Sequence, residues 1–214
     1  MIVFWDWNGT LLDDFFTGPL ILNRMLVKRG LRPVTDEEYY EVFDFPVIKY
    51  YRQVGFDLEP ETFEQIAADY IEAYDALSDR IPARAGAVET LRRLHADGHR
   101  QFILSASERS LVERQVRRLG LADWLDGIYA HGDGYAYGKE ALGRRAMEEL
   151  GAAASDCLLV GDTVHDSEVA DAMGIDCLLV TGGHHDRKRL SVAGRPVADS
   201  LDEICALIRA RSLR

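Results

Sequence analysis

Asp6, Asn8, Ser105, Ser107, Lys139, Asp162 and Asp166 carry side chains suited to electrostatic chemistry on an anion, and their setting repeats. The opening run Ile2-Val3-Phe4-Trp5 ends at Asp6, and Trp7-Asn8-Gly9-Thr10 follows at once. Ser105 closes the run Gln101-Phe102-Ile103-Leu104, with Ser107 two residues on. Gly161-Asp162-Thr163-Val164-His165-Asp166 follows Cys157-Leu158-Leu159-Val160, and Lys139 opens a helical pattern. A short apolar run stopping at a polar residue reads as a buried strand and the loop at its carboxyl end, where open α/β sheets keep their sites. Asn8-Gly9 between apolar stretches also reads as a hairpin turn, but a hairpin does not explain why the pattern recurs downstream. Aspartates gathered at one edge repel one another unless a cation sits among them, and a donor set rich in oxygen and poor in nitrogen suits Mg²⁺ rather than zinc. Each residue alone has a plainer reading, Lys139 as a solvated helix-start lysine and Ser105 as a core hydroxyl bonded to its own backbone. Their joint occurrence in this order outweighs those readings.

The elements that must position these residues follow two rhythms. From Phe15 to about Ile81 the signals are helical throughout. Pro19 opens a helix that Gly30 stops, Thr35-Asp36-Glu37-Glu38 fits a capping box before Tyr39, and Pro46 opens a third helix ending at Gly55. A fourth helix behind Pro60 places Phe63, Ile66, Ala67, Tyr70, Ile71 and Tyr74 on one face. From Pro82 onward helices and strands alternate. An amphipathic helix with Val88, Leu91 and Leu94 ends at Gly98, and the strand closing at Ser105 follows. A helix from about Ser110 to Leu119 precedes the strand Gly127-Ile128-Tyr129-Ala130, and a helix from Lys139 to Leu150 precedes the strand from Cys157. A last helical turn around Val169 to Met173 feeds Asp176-Cys177-Leu178-Leu179-Val180. The expected fold is α/β, a doubly wound parallel sheet with right-handed crossovers and helices on both faces. Its core comprises residues 1–14 and 82–214, with a smaller all-helical domain, residues 15–81, inserted after the first strand.

Composition narrows the partners. A chain of 214 residues, 47% hydrophobic and 29% charged, can bury one core domain and a smaller insertion. A formal charge of −11 argues against nucleic acid or an anionic membrane as the main partner. No stretch approaches the roughly 20 apolar residues of a membrane span, and the first residues lack the basic and long apolar regions of a signal peptide. Cys157, Cys177 and Cys205 are odd in number, widely spaced and set in apolar segments, which reads as reduced core thiols of a cytoplasmic protein. The expected partner is a small molecule, and the expected assembly a monomer or homodimer.

With these residues assembled, the chain resembles the haloacid dehalogenase superfamily, most closely its phosphoglycolate-phosphatase-like branch. Asp6-Trp7-Asn8-Gly9-Thr10 matches that family's Asp-x-Asp-x-Thr motif except at the second Asp. Ser105 matches its hydroxyl motif, Lys139 its lysine, and Gly161 through Asp166 its Gly-Asp-x-x-x-Asp motif. The resemblance covers the whole chain and implies a helical cap, a Mg²⁺ cofactor, and hydrolysis of a small phosphorylated metabolite through a phosphoaspartate. It implies that Asp6 is nucleophile and metal ligand, that Asp162 is the second carboxylate ligand, that Asn8 offers its backbone carbonyl, and that Asp166 acts directly or through water. Ser105, Ser107, Lys139, Asn8 and Gly9 would hold the phosphoryl oxygens.

Asn8 is the departure. An amide orients and donates but cannot shuttle the proton that the family's second Asp moves, and general acid–base catalysis contributes roughly 10² to 10⁴-fold. A second expectation therefore stands beside the first, a slow or non-hydrolytic phosphate-binding, phospho-accepting regulator, and His165 and Asp13 become the first other candidates to move the proton. A phosphonate-cleaving branch also lacks the second Asp and uses a cap lysine, but neither Lys28 nor Lys49 sits in a pattern assignable to that role. His184 and His185 read as a solvated loop or substrate-side contacts. The run Lys49-Tyr50-Tyr51-Arg52 reads equally as the inner face of a cap or as a cap core with a wet cationic face.

Overall fold

The structure is a computed structural model and describes residues 1–59, 61–132 and 138–212. The chain divides into two compact units, residues 1–13 with 82–214, and residues 14–81. It starts with strand β1 (Ile2–Trp5) and then enters helices α1 (Thr17–Lys28), α2 (Asp36–Val42), α3 (Val47–Gln53) and α4 (Phe63–Ser78). The second unit begins one residue earlier than the sequence pattern suggests. Tyr74 donates its hydroxyl to the Asp14 carboxylate at 2.8 Å, and the Thr17 hydroxyl donates to the Asp14 carbonyl at 2.7 Å, so Asp14 packs with the helices.

Local chemistry explains these helices. Thr35 and Glu38 form a reciprocal capping box at α2, and Thr62 with Gln65 does the same at α4, satisfying N–H groups that the first turn leaves unpaired. Pro60 lies outside the described residues. Aromatic rings fill the interior: Phe15 stacks on Tyr40 with centroids 4.7 Å apart, Tyr39 on Phe43 at 5.1 Å, and Tyr50 meets Tyr51 edge-on at 4.6 Å. Tyr50 and Tyr51 are buried while Lys49 and Arg52 are exposed, so the core reading of that run holds. Burial pushes the Tyr50 phenol well up. Ile71 departs from its apolar stripe and is 66% exposed.

The other unit continues with α5 (Ala87–Ala96), β2 (Arg100–Glu108), α6 (Arg109–Arg118), β3 (Gly127–His131), α7 (Lys139–Leu150), β4 (Cys157–Gly161), α8 (Val164–Met173) and β5 (Asp176–Val180). It ends with α9 (Arg187–Ser191), β6 (Val197–Ala198) and α10 (Leu201–Ser212). One sheet runs β3-β2-β1-β4-β5-β6, and every pairing is parallel. β1 lies between β2 and β4, so Asn8-Gly9 is no hairpin; the Trp7 carbonyl instead accepts from the N–H groups of Thr10, Leu11 and Leu12. The late elements β6, α9 and α10 lie beyond the sequence pattern, and α8 is a full ten-residue helix rather than a last turn. Thr163 caps it with Asp166 as the reciprocal partner, which a reading of this stretch as a catalytic loop hides.

Alternation along β1 sends Ile2 and Phe4 to one face, into a cluster with Phe102, Leu142, Leu159, Val169 and Met173. Trp5 turns to the other face, where its indole N–H donates to Gln101 Oε1 at 3.1 Å. The Gln101 amide nitrogen donates to the carbonyls of Leu91 (2.8 Å) and Trp124 (3.0 Å). Cys157, Cys177 and Cys205 are free and buried, as expected. Among the described residues no helix is long and apolar enough to cross a membrane.

Gln101 thus bonds three polar groups, the buried Trp5 indole among them, beside the strand that leads into Asp6. Replacing it with Leu leaves the buried Trp5 indole N–H without its acceptor, and an unsatisfied buried group costs about 1–3 kcal/mol. Urea unfolding of Gln101→Leu should therefore show a loss of about 1–3 kcal/mol at unchanged slope, and a loss below about 1 kcal/mol would contradict this account of the network.

Candidate active site

β1 carries Asp6 to its carboxyl end, where the Asp6 N–H still donates to the Val160 carbonyl at 2.9 Å, as a continuation of the β1–β4 ladder. Trp7 then pegs the turn. Its buried indole donates to Gln115 Oε1 of α6 at 2.7 Å, leaving the Gln115 amide nitrogen buried with no partner among the described residues. Gly9 has φ +72°, and a Cβ there would fall inside the Asp162 carboxylate, so the turn passes Asp162 at a distance only glycine allows.

Lys139, the first residue of α7, is 5% exposed, and its Nζ lies 2.5 Å from Asp6 Oδ1 and 2.5 Å from Asp166 Oδ1. It is not a solvated helix-start lysine. Burial works against its charge, yet Asp166 and Asp6 outweigh burial and hold the ammonium above its usual range. The other Asp166 oxygen accepts from the Thr163 N–H at 3.0 Å and the Thr163 hydroxyl at 2.7 Å. Burial would raise the Asp166 carboxyl, but Lys139 and Thr163 prevail and keep it below the ordinary carboxylate value.

Asp162 follows β4 and is fully buried. Its Oδ1 accepts from the Thr10 hydroxyl at 2.8 Å and its Oδ2 from the His184 N–H at 2.7 Å. Burial pushes its carboxyl up, opposed by His184 and assisted by the charge of Asp166. Burial also pushes Asp6 well up; Lys139 opposes this, while Asp166 and Asp162 add to it. Carboxylate oxygens of Asp6, Asp162 and Asp166 all lie within 4.8 Å of one another. Three carboxylates and one ammonium sum formally to −3 + 1 = −2, so a divalent cation would balance the group. The all-oxygen donor set fits a hard ion.

At the end of β2 the pairing with β3 shifts register between Leu104 and Glu108, and the site serines sit in that irregularity. The Ser105 hydroxyl accepts from the Ser107 N–H at 3.1 Å, which matches the plainer reading of that residue while leaving its O–H able to donate. The Ser107 hydroxyl donates to Asn8 Oδ1 at 2.7 Å, so the serine pair and the amide form one group. Lys139, Asp6, Asp166 and Asp162 form the other.

His184 and His185 do not form a solvated loop. They are 6% and 0% exposed because the loop after β5 folds back onto Asp162 and α8. His185 Nδ1 accepts from the Val164 N–H at 3.0 Å, which requires a lone pair and therefore the neutral ring protonated on Nε2. His165 stands apart with Nδ1 3.2 Å from Glu168, and Asp13 is exposed. Lys28 is 65% exposed and paired with Asp69 at 3.1 Å, the opposite of a desolvated reactive amine. Sequence reasoning gave Thr163 no role of its own and read His184 and His185 as a solvated loop or substrate-side contacts. The spacing of Thr163 and Asp166 carried a capping-box signal, whereas nothing local to the histidines announced their burial.

Residues 3–180 match the family model described as haloacid dehalogenase-like hydrolase. The chain is 26% identical over 220 residues to a phosphoglycolate phosphatase of Pseudomonas fluorescens, spanning 97% of this chain and 78% of that one. It is 28% identical over 177 residues to pyrophosphatase PpaX of Halalkalibacterium halodurans, spanning 77% and 75%. A predicted phosphatase from Clostridium acetobutylicum has a similar fold, with a TM-score of 0.83 at 22% identity over 98% of both chains. The chain belongs to the haloacid dehalogenase-like hydrolase family.

Proposed function

We propose that this chain is a phosphatase that removes phosphate from a small phosphorylated molecule, with Asp6 as nucleophile. The observation that carries this reading is the Lys139 ammonium 2.5 Å from both Asp6 and Asp166, with Asp162 completing the acidic group. Relatives named as a phosphoglycolate phosphatase and a pyrophosphatase support the substrate class.

Asp6, Asp162 and the Asn8 carbonyl would hold Mg²⁺, with Asp166 acting directly or through water. The bound ion would neutralise charge between the carboxylates and the phosphoryl oxygens. Asp6 attacks phosphorus, the ester oxygen leaves and takes a proton from solvent, and the phosphoryl group stays on the Asp6 carboxylate until water hydrolyses it. Lys139 stabilises the equatorial oxygens, and the Ser105 hydroxyl with the backbone N–H groups of the β1 turn holds them in place. Asn8 Oδ1 accepts from the Ser107 hydroxyl, and an amide side chain has no proton to shuttle. The helical unit, residues 14–81, is proposed to serve as the cap that selects the leaving group.

Removing Asp162 takes away both a ligand and half of the excess negative charge. Asp162→Ala should abolish hydrolysis of p-nitrophenyl phosphate and Mg²⁺ binding by calorimetry; undiminished activity there, or in excess chelator, defeats the metal assignment.

Protons compete with the ion for Asp6 and Asp162. Because their folded-state carboxyl pKa values are raised, these two groups favour the metal-free fold below the unfolded value of about 3.9, and that contribution is lost as pH rises through the folded values. The rise in melting temperature on adding Mg²⁺ should therefore be larger at pH 7.5 than at pH 5. An equal or smaller rise at pH 7.5 contradicts the proposed ligands.

Asn8 makes hydrolysis of the phosphoaspartate the slow step. Stopped-flow with p-nitrophenyl phosphate should show a burst stoichiometric with enzyme, and Asn8→Asp a faster steady state, by up to about 10²-fold. Gly9 leaves Asn8 open to deamidation, so intact-mass analysis of fresh protein accompanies the measurement. Fresh protein with no burst and the rate of Asn8→Asp would show that position 8 does not limit turnover.

A further inference from the structure

We propose that Arg84 is a positioning residue for Asp162, acting by clamping the loop after β1 to the loop after β5; this rests on the phosphatase reading above. Asp162 follows β4, which lies between β1 and β5 in the sheet, so no strand ladder joins the two flanking loops to each other. Asp162 nevertheless depends on both. The β1 loop supplies the Thr10 hydroxyl at 2.8 Å, and the β5 loop supplies the His184 N–H at 2.7 Å. Both loops press glycine backbone against the carboxylate, since a Cβ at either Gly9 or Gly183 would overlap it.

Arg84 spans this gap. Its Nη1 donates to the Gly9 carbonyl at 2.6 Å and its Nη2 to the Thr181 carbonyl. Gly182, at φ +84°, leaves room for the guanidinium, because a Cβ there would run into Nη2. The backbone beneath Arg84 is itself fixed: its N–H donates to the Leu11 carbonyl at 2.9 Å, Ala83 bridges Leu12 in antiparallel fashion, and the Asp13 N–H donates to the Pro82 carbonyl at 3.0 Å. A planar fork with several donors can bond two separate carbonyls at once, whereas a lysine ammonium on a flexible stem cannot hold the same geometry. Without the clamp, the loops carrying Thr10 and His184 can separate, and Asp162 loses the partners that aim its oxygens.

The test compares full-length wild type, Arg84→Met and Arg84→Lys. Loss of a residue that orients a metal ligand typically weakens metal binding or activity by roughly 10 to 100-fold. We expect Arg84→Met to bind Mg²⁺ about tenfold or more weakly by calorimetry without substrate, and to lower kcat for p-nitrophenyl phosphate with KM within about threefold. Amide hydrogen exchange should quicken in the peptide spanning 181–185 and stay unchanged in the strand at 101–104. Arg84→Lys should recover part of each loss. Unchanged Mg²⁺ affinity and unchanged exchange at 181–185 in Arg84→Met would overturn the clamp, as would exchange that quickens uniformly through the sheet. If wild type neither binds Mg²⁺ nor releases phosphate, the phosphatase reading fails, while exchange at 181–185 still decides whether Arg84 holds the loops. Should Arg84→Met aggregate, Arg84→Gln, which keeps a donor for one carbonyl, carries the same comparison.

Discussion

A buried ammonium between two carboxylates is the interaction on which the rest of the site depends. Lys139 reaches Asp6 at the end of β1 and Asp166 in the first turn of α8, so three elements distant in sequence meet at one charge. Each charge is tolerable only because the others are there: removing one member of a buried pair leaves an uncompensated charge, at a cost on the order of 3–5 kcal/mol. One lysine does not neutralise three aspartates, and the two negative charges left over are what a divalent cation would balance.

Backbone proximity is the second constraint. Gly9 and Gly183 bring main chain against Asp162 from two sides, and this allows the Thr10 hydroxyl and the His184 N–H to reach opposite oxygens of one carboxylate. The same folding-back buries His184 and His185, and it uses His185 to satisfy a first-turn N–H of α8. Thr163 and Asp166 satisfy further donors of that helix. Asp166 therefore serves twice, with one oxygen toward Lys139 and the other in the cap, which links the helix's stability to the charge balance of the site. Asn8 is joined to the serine pair, its Oδ1 accepting from the Ser107 hydroxyl while the Ser107 N–H donates to the Ser105 hydroxyl. The proposed slow step follows from the residue type, because an amide is not a general acid or base.

Much of this was legible in the amino-acid order, because each signal was local. Apolar runs stopping at Asp6 and Gly161 located the ends of β1 and β4, whereas β2 runs past Ser105 to Glu108; Lys139 to Leu150 is a helix with those same bounds. The capping box at Thr35 needed only residues three apart, and the same signal at Thr62 and Gln65 was passed over. What only the tertiary structure decided were matters of burial and distance between remote segments. Tyr50 and Tyr51 could have lined a surface, and their enclosure depends on the rings of Phe43 and Phe56, which lie outside α3. His184 and His185 look polar and loop-bound until the β5 loop is seen turned onto Asp162. Arg84 stands two residues after Pro82 and ahead of α5, and its guanidinium gains meaning only when the carbonyls of Gly9 and Thr181, 75 and 97 residues away, are brought within its reach. Side-chain type and short spacing are properties of the chain, whereas desolvation and pairing arise only when folding chooses the neighbours.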